Sequence, residues 1–327
     1  MTQPPDGWAS PSGTPPGWTS PSAAPVPPPT PPPGYGPPPG AYGAAAYPPS
    51  TGSWDLKPGI VPLRPLSVGE ILDGAITAVR RSPSLILASG VVSVFTVLTN
   101  FVIQLLLQRS SDNTSGADVF RGLIVSVIGL VLSAVGSLIV AALAAVVVRE
   151  GVLGRSVPLA TAWREVRPRI GVVVGAALLS TLAWGGLTIT IIGIPFAIFL
   201  YVAWRFGTVV AIIEGGSAKA VLKRSRLVTK NRWWRSCGIL LLVALVGGIV
   251  SEIITLPFLF AGGASQILSG DGSLSTTELA LTSVGSLIAS TLITPFTVCA
   301  AALLYIDLRM RGEGLDVALR QAATTTP

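Results

Sequence analysis

A polytopic all-α membrane bundle behind a disordered, Pro/Gly-rich tail is the fold predicted by three observations. The 327-residue chain is 50% hydrophobic and only 11% charged, against about 25% charged residues in an ordinary soluble domain. Its apolar residues are gathered after Leu63 into six runs, each near the ~20 residues that cross ~30 Å of hydrocarbon. Twenty of its 22 Lys and Arg residues fall on one side of those runs.

Residues 1–62 form the tail. Pro27-Pro28-Pro29, Pro31-Pro32-Pro33 and Pro37-Pro38-Pro39 lie there, and proline favours extended polyproline II without donating a backbone hydrogen bond. Too little apolar surface is present to offset chain entropy, so the segment is expected to stay disordered. Gly7-Trp8-Ala9-Ser10-Pro11-Ser12 recurs as Gly17-Trp18-Thr19-Ser20-Pro21-Ser22. The tail is either a solvated spacer or a docking segment for an unidentified protein partner that binds proline and aromatic side chains. Its hydroxyls, among them Ser10, Ser20, Thr14 and Thr30, are open to phosphorylation. Residues 1–50 contain no Lys or Arg and no apolar core of a signal peptide, so the first apolar run is expected to act as the targeting signal.

The membrane domain covers residues 63–319, followed by a short C-terminal tail, 320–327. Its spans are expected at Ser84 to Leu107, Gly122 to Val148, Ile170 to Thr188, Ile191 to Ile213, Cys237 to Phe260 and Leu281 to Ile306. The basic residues lie before span one, between spans two and three, from the end of span four to span five, and after span six. Only Arg109 and Arg121 lie on the opposite side. The positive-inside rule then places both termini in the cytoplasm and the loop around Asp271 outside a bacterial plasma membrane. On this reading the net charge of +7 reflects topology, and nucleic acid is not an expected partner.

A short amphipathic segment precedes each odd-numbered span. Ser67 and Glu70 form a capping box, followed by a stripe of Val68, Ile71, Leu72, Ala75 and Val79. Leu159, Ala162, Trp163 and Val166 repeat the stripe with Ser156 as N-cap, and Ala218, Val221, Leu222, Ser225 and Val228 repeat it again. On the opposite face of the third segment, Lys219, Lys223, Arg226 and Lys230 share one side, the pattern of a helix lying on an anionic membrane surface. The domain therefore reads as three units, each an interfacial helix followed by a transmembrane hairpin.

Three motifs resemble a known family: Gly69-Glu70-Ile71-Leu72-Asp73-Gly74-Ala75; Arg205 followed by Ile213-Glu214-Gly215 and Leu222-Lys223-Arg224-Ser225; and Leu304 to Asp316. Over roughly Pro62 to Leu319 the chain is similar to the membrane domain named after glycerophosphoryl diester phosphodiesterase, in its stand-alone actinobacterial form. Its tail resembles that of proteins described as proline- and glycine-rich transmembrane proteins. In bifunctional members of that family, phosphodiester hydrolysis belongs to a separate domain that uses His and metal-binding carboxylates. This chain has no His, so the resemblance implies a membrane domain without that activity.

No cofactor, metal site or catalytic residue is expected. Without His, no Ser-His or Cys-His nucleophile can be assembled. Cys237 and Cys299 read as packing residues. Within the spans, Arg205 stands ~12 Å along the helix from its cytoplasmic end. Either it has a function, as intramembrane cations often do, or it snorkels or pairs with Glu70, Asp73 or Asp307. Glu252, with Asn100 and Gln104 at similar depth, forms a polar site in the outer leaflet, or else span five ends near Pro257. Gly129, Ser133, Ser137, Ala141 and Ala145 recur at every fourth position, a stripe suited to close helix packing within the bundle or, alternatively, in a homo-oligomer. The leading functional reading is a non-catalytic scaffold or organiser at the membrane. A lipid or small-solute transport component is second, and a membrane-bound lipid enzyme third.

Overall fold

A computed structural model describes residues 59–110, 116–188, 190–262 and 275–315. The expected tail disorder, the tail hydroxyls, Asp271 and the C-terminal tail lie outside the described residues.

Ten α-helices are present in the described residues: α1 (Val68–Arg81), α2 (Pro83–Ser110), α3 (Gly116–Val152), α4 (Leu159–Val166), α5 (Ile170–Thr188), α6 (Gly193–Trp204), α7 (Gly207–Ile213), α8 (Ala218–Lys230), α9 (Trp233–Ala261) and α10 (Thr276–Glu313). A 3₁₀ turn, Arg167–Arg169, joins α4 to α5. Six helical stretches are long and apolar enough to cross a membrane: Pro83–Leu105, Phe120–Val152, Leu159–Thr188, Gly193–Ile213, Trp233–Ala261 and Thr276–Glu313. Along them, Leu87, Val91, Phe95 and Leu98 of α2 and Leu241, Leu245, Ile249 and Ile253 of α9 face outward. Apolar rows on the outside are what hydrocarbon, rather than water, stabilises.

The helices run past the expected span ends because their caps lie outside the apolar runs. Span six begins at Thr276, where Ser275 and Glu278 form a capping box. The Ser67–Glu70 box opens α1 as the sequence predicts, and Ser217 caps α8. For α4 the N-cap is Pro158, without a side-chain bond, and not Ser156. Proline disfavours helical backbone in the residue before it, so α4 cannot start earlier. Trp163 is 40% exposed, off the buried stripe of that helix. Span four is not one helix: α6 ends at Trp204, and α7 restarts at Gly207 after the non-helical Phe206. Span five does not end at Pro257, since α9 continues through it to Ala261.

Helix α10 is central and packs against α9, α2, α3 and α1. The buried core gathers at one end of the bundle, where Val140–Val148 of α3, α7 and Val298–Met310 of α10 meet. A strap, residues 59–66, crosses that end. Ile60, Val61, Leu63 and Leu66 are buried in it, and the Ile60 N–H donates to the Gly151 carbonyl at 3.0 Å. Only glycine fits at position 59, because a Cβ there would sit 2.0 Å from the Gly151 oxygen. The folded unit thus begins ahead of Leu63.

Candidate functional site

The strap and the helix ends around it form a layer of paired charges. Asp307, on the last turns of α10, has no exposed surface. Burying a lone carboxylate is costly, and here its oxygens accept from the Leu66 N–H at 2.8 Å, Arg311 Nε at 2.8 Å and Arg235 Nε and Nη2 at 3.1 Å. Both arginines also donate to the Leu66 carbonyl, each at 2.7 Å. One carboxylate therefore joins the strap, α9 and α10. Arg232 extends the clamp by donating to the Arg311 carbonyl at 2.7 Å.

A second cluster surrounds Glu214, at the α7–α8 turn. Gly215 and Gly216 take positive φ there, 75° and 106°, which favours glycine. The Gly215 N–H closes α7 on the Val210 carbonyl. Glu214 accepts from Arg224 of α8 at 2.6 and 3.1 Å and from the Tyr305 hydroxyl of α10. Arg224 also meets Glu313, which accepts from Arg309 at 2.9 Å. Burial pushes the Glu214 carboxyl up, but the Arg224 and Tyr305 hydrogen bonds and the nearby Arg309 charge outweigh it and hold the group below its ordinary value of 4.5. Arg224 is driven the other way, first by Glu313 and then by Glu214, and stays charged. A third cluster pairs Arg149 of α3 with Glu165 of α4 at 2.6 and 2.9 Å, while Arg169 donates to the Ile212 carbonyl of α7.

Several of these residues were assigned other roles by the sequence. Arg224, Arg232 and Arg235 counted there only within the charge bias ahead of span five; the structure also gives each a partner. Arg224 reaches Glu214, 10 residues away, and Glu313, 89 away; Arg235 reaches Asp307, 72 away; and Arg232 reaches the Arg311 carbonyl, 79 away. No helical spacing announces the distant partners. The motifs that carry the family resemblance supply Glu214, Arg224, Tyr305, Asp307, Arg309 and Arg311, so the layer accounts for them physically.

The basic stripe of α8 has the predicted geometry. Lys219, Lys223, Arg226 and Lys230 are all exposed, while Val221, Leu222, Ser225 and Thr229 are buried beneath them. Leu227 and Trp234 are exposed beside the stripe at 57% and 82%. Helix α8 lies antiparallel along α6: Leu222 faces Gly207, the Ser225 hydroxyl donates to the Ala203 carbonyl at 2.8 Å, and Trp233 Nε1 donates to the Phe199 carbonyl at 3.2 Å.

The polar site expected from Glu252, Asn100 and Gln104 is not assembled. Asn100 and Gln104 line a crevice between α2 and α10 with Thr282, Ser283 and Ser286. Glu252 is exposed on α9 and does not line it. The two amides stand on α2 and Glu252 on α9. Arg205 pairs with none of its three expected acids: Glu70 binds Arg64, Asp307 binds Arg235 and Arg311, and Asp73 is exposed on α1. Because span four breaks beside Arg205, the depth counted along a continuous helix does not apply. Of the small-residue stripe, Gly129 and Ala145 are buried, whereas Ser137 is exposed and its hydroxyl donates to the Ser133 carbonyl. Gly129 rests against Ile103, and Gly136, one position off the stripe, against Val92. The close approach at this face is therefore within the bundle, to α2.

These features define a multi-pass helical membrane protein with a charge-paired end. The chain belongs to the family described as domain of unknown function DUF7847, whose model matches residues 66–308. No curated protein and no solved structure matches it.

Proposed function

We propose that the protein is a non-catalytic organiser of the bacterial plasma membrane, in which the bundle holds the proline-rich N-terminal segment at the cytoplasmic surface. The observation that carries this reading is the use made of charge at one end of the bundle. Asp307, Glu214, Glu313 and Glu165 are each engaged by arginines in joining separate elements, while Lys219, Lys223, Arg226 and Lys230 of α8 face outward. Such an arrangement fixes a platform and presents a basic face, which suits an anionic leaflet. Pull-down from native membranes should recover a protein partner with the full chain and lose it when residues 1–58 are removed. Turnover of a glycerophosphodiester by the purified protein would refute the reading and favour a lipid enzyme.

The orientation in this proposal rests on the charge bias. In a background with Cys237 and Cys299 replaced, an impermeant thiol reagent applied to intact cells should label a cysteine at Gly270 and not one at Lys223. The reverse pattern would invert the proposal. A second reading, a lipid or small-solute transport component, is favoured by Arg205, which stands unpaired among the described residues between two cavities. Flux in proteoliposomes that is lost in Arg205→Gln would support it over the organiser.

A further inference from the structure

We propose that the crevice around Arg205 binds one anionic phospholipid through its headgroup phosphate. This goes beyond the organiser reading, which needs no bound lipid.

Arg205 sits at the break in span four. The α6 helix tightens there, with the Arg205 N–H on the Val202 carbonyl, and the buried Phe206 ring packs 6.1 Å from Tyr305. The break places Arg205 in the lining of two cavities, of about 170 and 390 Å³. It is the one charged residue lining either of them among the described residues, and it makes no ion pair or side-chain hydrogen bond there. An arginine among apolar helices without a counterion is costly. A phosphate supplies that counterion in the geometry guanidinium matches best, two parallel N–H···O bonds.

The surroundings choose the kind of phosphate. Tyr201, one helical turn before Arg205, lines both cavities, and its hydroxyl is free to donate among the described residues. Thr181, Thr208 and Trp204 also line the smaller cavity, and Trp184 meets Tyr201 edge-on at 5.9 Å. Tyr and Trp gather at headgroup depth in membranes. The larger cavity continues along Val202, Leu240, Leu241 and Val243, a wall for an acyl chain and of no use to a free inorganic ion. No carboxylate lines either cavity among the described residues, so a headgroup without its own cation is preferred.

The test uses the full chain reconstituted with equal phosphatidylglycerol and phosphatidylcholine, re-extracted in detergent, with retained lipid read by native mass spectrometry. Wild type should keep one phosphatidylglycerol per chain, and Arg205→Gln should reduce that about tenfold, the scale of one good charged contact. Tyr201→Phe should reduce retention less, and Arg205→Lys should restore part of it. Replacing the four α8 cations by Gln should leave it intact. Equal retention by Arg205→Gln, or no preference over phosphatidylcholine, overturns the proposal. Displacement of the lipid by millimolar inorganic phosphate overturns it too, assigning the crevice to free phosphate. Should Arg205→Gln fail to fold, unchanged retention in both Tyr201→Phe and Arg205→Lys overturns it.

Discussion

Asp307 and Lys223 are both ionisable residues at the same end of the bundle, yet they do opposite work. Asp307 is fully buried and engaged by the strap, α9 and α10. Lys223 and its three companions on α8 are exposed, with no ion pair among the described residues. Helix α8 itself contains both kinds of cation: Arg224, adjacent to Lys223, turns inward to Glu214 and Glu313. One residue of helical phase separates a charge that holds the fold from one that faces outward. Predictions that delete charge in each region should therefore differ in kind.

The largest effect is expected at the clamp. Asp307→Ala leaves the Leu66 N–H without its acceptor and Arg235 and Arg311 with the Leu66 carbonyl but no counterion. Removing one partner of a buried pair costs about 3–5 kcal/mol, and partial exposure of the two arginines places this case near the lower value. Thermal unfolding in detergent should show a large drop in Tm, with Asp307→Asn intermediate. An unchanged Tm in Asp307→Ala would dissolve the contrast.

The strap comes next. Gly59→Ala puts a methyl group against the Gly151 carbonyl, a backbone atom that cannot rotate away. The strap must lift, with loss of the Ile60 hydrogen bond, at about 1–3 kcal/mol. Hydrogen exchange at the Ile60 amide should rise in that variant; equal protection would show that the strap is not held there.

Glu214→Gln removes a charged acceptor from two partners, for roughly 1–2 kcal/mol, reduced by its partial exposure. Its pH dependence has a definite sign. The folded carboxyl lies below its ordinary 4.5, so its contribution is fully present above that value and is lost as pH falls through the lower folded one. The Tm difference between wild type and Glu214→Gln should be constant near neutrality and shrink on acidification below about 4.5. A difference that is independent of pH would remove the charge from the explanation.

How much of this was legible in the sequence follows from how local each feature is. Apolar runs, the capping box at Ser67 and Glu70 and the amphipathic phase of α8 depend on neighbours within a few residues, and all three were readable. The break at Phe206 was not; the ring there packs against Tyr305, about a hundred residues away in sequence. Arg235 on Asp307 and Tyr305 on Glu214, 72 and 91 residues away, were hidden for the same reason, whereas Arg311 stands one helical turn from Asp307. Depth along a helix suggested joining Glu252 to Asn100, but depth says nothing about which face or which helix is adjacent. The stripe from Gly129 predicted close packing correctly at Gly129, while Gly136 against Val92 lay outside its period.

The most direct measurement replaces Lys219, Lys223, Arg226 and Lys230 together by Gln, and reads stability and lipid in one preparation. Exposed substitutions of this kind usually stay within about 0.5 kcal/mol, so Tm should hardly move. Each lost cation should remove roughly 1 kcal/mol of attraction to an anionic surface, so loosely held anionic lipid co-purifying with the protein should fall, and the more so at low salt. An unchanged Tm with depleted lipid is the result expected of a face that meets the membrane. A Tm drop comparable to that of Asp307→Ala, with lipid content unchanged, would contradict the division of charge described here.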